Sequence, residues 1–282
     1  MLWSLVFIWV ITTQYVAVQT TDLCNKRSIN LMVKKASQSS TFDSIHDDGE
    51  HIILSRAFDE DPDTCCVTEN QTNSWWRIEL QGIYNISCIS IYTNPNYVAY
   101  ISGAQIYIGN SLENNGTNNR LVYNITADKG QEINYKKFYM TVFSFTTSAL
   151  GRYVTVFRPG QNHLVLCEVN ISGTEIKSPF KLINISKTWE DSRSYCRANH
   201  TDLASIRDEQ LQVFAEIEAE KANSPFAWIG LRYVCSKQFW FWVDRCTIDY
   251  EDCGIRGAMK TQGEHKWFER SDYEKFNFIC AL

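Results

Sequence analysis

The sequence predicts two domains: an all-β sandwich, followed by a domain of mixed helices and strands. Two periodicities indicate this division. Apolar residues alternate with polar ones in short runs up to about residue 175, and apolar residues at three- and four-residue steps appear after it. A short connector, SGTEIKSP, separates the two patterns, and a chain of 282 residues is long enough for two domains of ordinary size.

The alternating runs of the first half predict half-buried strands. In WWRIEL the apolar positions are Trp76, Ile78 and Leu80, and the same period of two recurs in CISIY, AQIYIG and RYVTVF. Segments such as NSLENNGTNN and NPNY lie between these runs and predict turns. Many short strands separated by turns are typical of an all-β sandwich.

The second half begins with two predicted helices. In SKTWEDSRSYC, Trp189, Ser192 and Cys196 share one helical face, and Thr188 and Asp191 have the spacing of a capping box. The segment RDEQLQVFAEIEAEKA predicts an exposed helix with one buried stripe, formed by Leu211, Phe214 and Ile217 or Glu218. Short, tryptophan-rich strands are predicted from Trp228 onward, so this half is α+β.

Residues 1–20 predict a secretory signal. LWSLVFIWV is too short for a membrane helix but has the length of a signal's apolar core, and we expect cleavage between Ala17 and Thr20. The usual basic flank is missing, which leaves an uncleaved anchor as the alternative. No later segment predicts a transmembrane anchor, so a secreted, extracellular protein is expected.

Glycosylation motifs and cysteines agree with this location. Acceptor triplets for N-glycans begin at Asn70, Asn85, Asn115, Asn124, Asn170, Asn184 and Asn199. The ten cysteines all follow the signal and lack the spacing of zinc sites. In an oxidising compartment they predict disulfides.

Charge and motifs argue against two classes of function. The net charge of -5, without a basic stripe, argues against a nucleic-acid partner. The sequence has no nucleophile paired with a base, no zinc helix and no phosphate loop. Its five histidines lack metal-ligand spacing and are expected at the surface. An enzyme is therefore not expected.

Six blocks follow one another in the first half: SINLMVKKASQSST, SRAFDEDPDTC, NSWWRIEL, ISGAQIYIG, LGRYVTVF and LVLCEV. In order and approximate spacing they resemble an F-type lectin domain, the fucose-binding jelly roll of eel agglutinin. The resemblance covers residues 28–174. It implies a jelly-roll sandwich with a disulfide between Cys65 and Cys167.

The same resemblance implies a structural calcium ion. In that family the ion is held by a turn after the second strand and by a Cys-Glu pair near the end of the domain. The matching positions here are Asp59, Asp61, Thr64, Cys167 and Glu168. Three carboxylates are then expected to converge on one cation, because Ca²⁺ prefers oxygen ligands. A solvated acidic turn is the alternative.

The sugar pocket of that family is expected to be altered here. The position of its histidine is Val67, and its arginine-bearing loop is replaced by NPNYVAYISGA, which has no arginine. Ordinary fucose binding is not expected, since aliphatic residues cannot donate the paired hydrogen bonds of a guanidinium. Tyr97 and Tyr100 offer an aromatic platform for a sugar face, and a simple cover over a strand edge is the alternative.

The second half carries the blocks KTWEDSRSYC, TDLASI, WIGL, FWFWV, KWFE and FNFICAL. Over residues 178–282 they resemble a C-type lectin-like domain. The resemblance implies a disulfide between Cys196 and Cys280. The two positions of the family's inner disulfide fall on Arg256 and Asp272, for which we expect an ion pair instead.

The calcium-dependent sugar site of the C-type lectin family is not retained. Its proline motifs are absent, and its Trp-Asn-Asp triplet reads WFE at 267–269. A solvated acidic loop is expected, with a divergent cation site as the alternative, which would use Asp244, Asp249, Glu251, Asp252 and Glu269. Six cysteines stay unassigned, their fifteen possible pairings within the chain remain open, and so does an interdomain or interchain bridge: Cys24, Cys66, Cys88, Cys235, Cys246 and Cys253.

Together these features predict a secreted lectin-like recognition protein. It would bind glycans or glycoproteins, those of microbial surfaces among them, through two degenerate sugar-binding folds that gain affinity from multivalency, in this chain or in an oligomer. The alternative is a protein-binding module that keeps only the lectin scaffolds, because a fold does not fix a function.

Overall fold

The computed structural model describes residues 24, 28–42, 53–135, 138–245 and 252–282. The predicted signal at 1–20 and Cys246 lie outside these ranges. Within them, no helix combines the length and the apolar character needed to cross a membrane.

The first domain is a sandwich of antiparallel strands, as predicted. One helical turn, α1 (Val98–Ile101), precedes β4. The strands are β1 (Lys35–Gln38), β2 (Cys66–Val67), β3 (Gln71–Thr93), β4 (Gln105–Gly109), β5 (Arg120–Asn124), β6 (Gln131–Tyr135), β7 (Phe138–Asn162), β8 (Val165–Leu166) and β9 (Glu168–Glu175).

Two long strands, β3 and β7, contribute to both layers. The first half of β3 pairs with β1 and with the second half of β7, which also pairs with β4. Beyond a register shift between Glu79 and Tyr84, the remaining halves pair with each other and with β9 and β6. The sequence predicts shorter strands than these. The alternating pattern is interrupted at this register shift, but the pairing of β3 with β7 resumes beyond it, so each strand continues.

The core lies between the two layers. Trp76, Ile78 and Leu80 of β3 are completely buried, in agreement with the alternation of WWRIEL. They belong to one cluster with Phe143 of β7 and Ile171 of β9. Burying side chains of this size contributes about 1.5 to 3 kcal/mol each.

The second domain is α+β, as predicted. Its sheet has the order β10-β16-β12-β14-β15, with β11 on β16 and β13 on β12. Its elements are β10 (Phe180–Lys187), α2 (Trp189–Asn199), β11 (Asp202–Leu203), α3 (Glu209–Ala219), β12 (Phe226–Val234), β13 (Phe239–Trp242), β14 (Asp252–Lys260), β15 (Trp267–Ser271) and β16 (Phe276–Ala281).

Helix α2 begins and packs as its sequence predicts. The Thr188 hydroxyl accepts a hydrogen bond from the backbone N–H of Asp191 at 3.3 Å, which caps the first turn. Trp189, Ser192 and Cys196 form its buried face. On α3 the buried face is wider than the predicted stripe and includes Val213 and Ala215, because that helix packs on β10 and β16 of its own domain and also on β3 of the first.

The expected ion pair between Arg256 and Asp272 is present. Arg256 is completely buried, its Nη2 lies 3.7 Å from Asp272 Oδ2 and 3.2 Å from Glu190 Oε1, and its guanidinium lies over the Trp189 ring at 4.7 Å. A charge buried this deeply requires such partners.

Side chains of both domains meet in one interface. Ile83 of β3 is buried in the apolar cluster of the second domain. Nearby, Arg152 of β7 bonds Glu79 within its own domain and Glu220 across the interface, at 2.7 Å. His265 lies 3.5 Å from the same Glu220 carboxylate. His265 is only 8% exposed, so the expectation that it lies at the surface is wrong: its imidazole lies between Glu220 and the carbonyl of Lys260.

This interdomain network is expected to stabilise the interface most strongly between about pH 4.5 and 6.5, the ordinary pKa values of Glu and His. The bond to Glu220 raises the pKa of His265. The contribution of His265 to the stability of the folded chain is therefore complete below about pH 6.5 and is lost as pH rises through the raised pKa. Burial raises the pKa of Glu220, but bonds from His265 and Arg152 outweigh burial and lower it to about 2. The Glu220 contribution is therefore complete above about 4.5 and is lost as pH falls toward 2.

Thermal unfolding from pH 3 to 9 measures this dependence. We expect Glu220→Gln to lower the melting temperature most within that window and to flatten the pH profile. Glu264→Gln is the matched control, because Glu264 pairs with Lys266 at an exposed position. An unchanged profile in Glu220→Gln would contradict the role given to the network.

Candidate functional site

The predicted acidic turn, residues 59–64, is closed by its own side chains. Asp59 Oδ1 accepts from the N–H of Asp61 at 3.0 Å, and Asp59 Oδ2 accepts from the Thr64 hydroxyl at 2.7 Å. Asp61 Oδ1 in turn accepts from the N–H of Asp63 at 3.1 Å. Glu60 adopts a positive φ of 64°, which completes the tight bend.

A disulfide joins this turn to the start of β9. Cys65 is bonded to Cys167, and their Cα atoms are 3.8 Å apart. The backbone N–H of Cys167 donates to the carbonyl of Tyr92 at 3.1 Å, and Glu168 pairs with Tyr92 as β9 begins. Glu168 is almost fully buried, with 2% exposure.

The expected convergence of three carboxylates is not found. Among the residues that the structure describes, no group of three or more His, Cys, Asp or Glu side chains could hold a metal ion. The physical reason lies in the turn itself: Asp59 and Asp61 direct carboxylate oxygens at backbone N–H groups of the turn.

The available donors nevertheless have the chemistry that Ca²⁺ prefers. Carboxylates of Asp59 and Glu168, the Thr64 hydroxyl and the Cys167 carbonyl are all oxygen donors. An ionised carboxylate has about four lone-pair sites, so the hydrogen bonds within the turn do not exhaust Asp59. A site with two carboxylates and several neutral oxygens fits these residues better than one with three carboxylates.

Four rings cluster near the predicted pocket. The rings of Tyr97 and Tyr100 are 6.3 Å apart, and the Tyr100 ring meets the ring of His163 edge to face at 5.7 Å. The Phe42 ring also meets this imidazole edge to face, at 5.5 Å. We call Phe42, Tyr97, Tyr100 and His163 the aromatic cluster. Its two tyrosines are 40% and 36% exposed, respectively, so their ring faces are accessible.

His163 was not expected at this site. Its Nδ1 lies 2.8 Å from the carbonyl of Thr68, and the Val67 carbonyl accepts from the N–H of Phe42. The pairing of β2 with β8 brings His163 next to Thr68, which follows Val67, the position at which the F-type family has a histidine. The sequence signal is weak: His163 lies at a strand end just before LVLCEV.

Arg158 is a second functional candidate that sequence reasoning missed. The guanidinium packs against Gly103, the end of the loop that carries Tyr97 and Tyr100, and a Cβ on Gly103 would lie 3.2 Å from its Nη1. Nη1 donates to the carbonyl of Pro159 at 2.8 Å, while Nε is buried without a hydrogen-bond partner among the described residues.

The remaining disulfides and glycosylation motifs are distributed over both domains. Cys196 is bonded to Cys280, and two pairs join cysteines that the sequence left open, Cys24 with Cys88 and Cys235 with Cys253. Asn170 on β9 is half-buried, whereas the other acceptor positions are exposed: Asn70, Asn85, Asn115, Asn124, Asn184 and Asn199.

The acidic loop of the second domain is described only in part. Asp249 and Glu251 lie outside the described residues. Asp244 pairs with Arg207, which gives that carboxylate a cationic partner. The 267–269 triplet begins β15, with Trp267, Phe268 and Glu269 all exposed.

Known families and proteins match both halves of the chain. Residues 56–156 match the family model described as a NedA-like, galactose-binding domain, and residues 185–282 match the C-type lectin domain. Fucolectin-4 of Anguilla japonica is 36% identical over 133 residues, which cover 44% of this chain and 70% of that protein.

Fucolectin-5 of Anguilla japonica is 35% identical over 125 residues, or 44% of this chain, and the chain spans 62% of the length of that relative. A solved structure, the F-lectin (fucolectin) from Morone saxatilis serum, shares 28% identity and a TM-score of 0.45, covering 61% of this chain and 59% of its own.

Proposed function

This chain belongs to the fucolectin family and carries a C-type lectin domain in its second half, and from this we propose that it is a secreted carbohydrate-binding protein. Its first domain would bind sugar at the aromatic cluster, beside a structural calcium ion. Both sugar sites depart from those of their families, so the ligand is a glycan other than one read by paired arginines.

The observation that carries this proposal is that His163 contacts both Phe42 and Tyr100. Because the Thr68 carbonyl can only accept, Nδ1 of His163 must donate to it. In the neutral ring, Nε2 is then the acceptor, which suits a sugar hydroxyl. His163 thus offers from β7–β8 the group that Val67 cannot offer from β2.

The tyrosines would complete the contact, and Arg158 would support their loop. The C–H groups on one face of a pyranose carry partial positive charge and are attracted to the negative face of an aromatic ring. Tyr97 and Tyr100 present such faces, each with a hydroxyl at its tip. The guanidinium of Arg158 packs against Gly103 at the end of the same loop and would hold the loop in place.

The calcium ion would be held by the carboxylates of Asp59 and Glu168, with the backbone carbonyls of Asp61 and Cys167 and the hydroxyl of Thr64 as neutral oxygen ligands. When bound, it would order the acidic turn and the start of β9 rather than contact sugar. The oxygen chemistry of these groups and the disulfide between Cys65 and Cys167 support this role. Binding to the folded state alone would also raise stability.

A glycan array probed with the purified secreted chain tests the function. With Ca²⁺ we expect binding to a subset of glycans, and with EGTA a loss of about tenfold in the affinity of the first domain, equal to about 1.4 kcal/mol. Asp59→Asn should remove this calcium dependence at almost unchanged side-chain volume.

Asp63→Asn is the matched control, since it changes the same charge in the same turn without touching the proposed ligands. An array without signal in either buffer, for a chain with a normal melting temperature, would overturn carbohydrate binding. A protein ligand found by such a chain would then support the scaffold-only alternative.

A further inference from the structure

A groove in the second domain lies apart from the aromatic cluster and the acidic turn of the first. Its volume is about 500 Å³, within the range of small-ligand sites. Four aromatic side chains line it, together with Leu231 and Glu269. The four are Trp240, Trp242, Trp267 and Phe268, and we call this site the aromatic groove.

The walls of the groove are held in place by contacts among its own rings and by contacts with residues outside it. The indole N–H of Trp267 donates to Gln212 Oε1 of α3 at 3.0 Å. The rings of Trp242 and Trp267 stand perpendicular to each other at 5.2 Å, and Trp240 packs against Tyr233 at 5.1 Å. Such a preformed shape lowers the entropic cost of binding.

These aromatic side chains remain open to solvent. Trp240 is 38%, Trp267 41% and Phe268 40% exposed. A contiguous patch of large apolar side chains that is exposed at the surface commonly marks a binding site, whereas single exposed apolar residues do not.

A polar pocket adjoins the groove across Trp267, which lines both. Its volume is about 390 Å³, and its lining includes Gln212, Glu264, His265 and Lys266. The exposed carboxylate of Glu264 and ammonium of Lys266 supply an acceptor and donors, and their charges offset each other in an ion pair. The two spaces together present ring faces beside hydrogen-bonding groups.

We propose that the aromatic groove is a second carbohydrate site, which takes the apolar face of a neutral pyranose without a metal ion. This inference deepens the proposed function and rests on it. A pyranose combines an apolar face, which suits Trp240 and Trp267, with hydroxyls, one of which would donate to Glu269. Glu269 is the only charged residue among the described groove residues, so it disfavours an anionic sugar.

The next sugar unit would occupy the polar pocket. Because the groove and this pocket share Trp267, a ligand of at least two units would contact both. Two sites on one chain, one in each domain, would raise the affinity for a surface that displays many glycans.

The test is an array of neutral and acidic oligosaccharides probed in EGTA with the full chain. We expect chelator-resistant binding to neutral glycans, reduced at least about tenfold by Trp240→Ala and by Trp267→Ala, or about 1.4 kcal/mol for each. Because both side chains are partly exposed, both variants should fold, which their melting temperatures verify. Phe239→Ala is the matched control, an exposed aromatic on the same strand outside the groove.

The outcomes separate the two proposals. Calcium-dependent binding alone, unchanged in Trp240→Ala and Trp267→Ala, would overturn the groove site and leave the first-domain function standing. Signal in neither buffer would overturn both. Displacement by choline instead of by neutral sugar would also overturn the assignment, because an aromatic site with one carboxylate can hold a quaternary ammonium.

Discussion

Replacing Cys65 and Cys167 together by alanine is expected to lower the free energy of unfolding of the first domain by about 3 to 5 kcal/mol. The disulfide joins residues 102 positions apart, and a cross-link over so long a loop strongly restricts the unfolded chain. The same change frees the acidic turn from β9, so calcium-dependent glycan binding should disappear with it. Chemical denaturation and the array in Ca²⁺ measure the two effects.

Both cysteines must be replaced because Cys66 lies next to Cys65. A single change would leave a thiol that Cys66 could pair with. Cys66→Ala is the control: its thiol is buried and unpaired among the described cysteines, and burial raises its pKa to about 12, so it is inert at neutral pH. Equal midpoints of unfolding for the double variant and the parent chain would contradict the role of this disulfide.

Arg256→Ala is expected to destabilise the second domain by about 3 to 5 kcal/mol, the cost of removing one partner from a buried ion pair. The side chain is fully buried and packs on Trp189, so the variant loses packing and also leaves Asp272 without its cation. Glu190 adds little to this value, because its side chain is 57% exposed. Denaturation in urea measures the change.

A double-mutant cycle separates the ion pair from packing. Arg256→Met keeps most of the volume, and Asp272→Asn removes the opposite charge. If the pair is coupled, the double variant should cost at least about 1 kcal/mol less than the sum of the single changes. Strict additivity would show that Arg256 acts through packing alone. Arg197→Ala, at the exposed end of α2, controls for loss of a surface charge.

Local sequence patterns predict those parts of the fold that depend on interactions between residues close together in the sequence. The face of α2 follows from the spacing of Trp189, Ser192 and Cys196, and its start follows from Thr188. The alternation in WWRIEL likewise identifies the buried face of β3. In each case burial or capping of neighbouring residues determines the structure.

The candidate site depends on contacts that such patterns do not contain. His163 reaches Thr68 across 95 positions of sequence, through the register of β2 with β8. Arg158 meets the tyrosine loop through the pairing of β7 with β4. A period of two identifies the buried face of a strand but not its partner strand, so neither residue could be placed.

Two further features depend on long-range geometry. The bonds of Cys24 with Cys88 and Cys235 with Cys253 could not be ranked, because loop-closure entropy changes slowly with loop length. The groove could be predicted only from the registers of β13 and β15 within one sheet, because those registers bring Trp242 and Trp267 together. The resemblance to C-type lectins indicates only that the calcium motifs are missing and does not predict the groove.

The most direct test of the central claim is a calorimetric titration of an array-positive, calcium-dependent glycan into the parent chain and into Tyr100→Ala. Because Tyr100 contacts His163 and is partly exposed, we expect a dissociation constant at least about tenfold weaker, or about 1.4 kcal/mol, at an unchanged melting temperature. An unchanged dissociation constant would contradict sugar binding at the aromatic cluster.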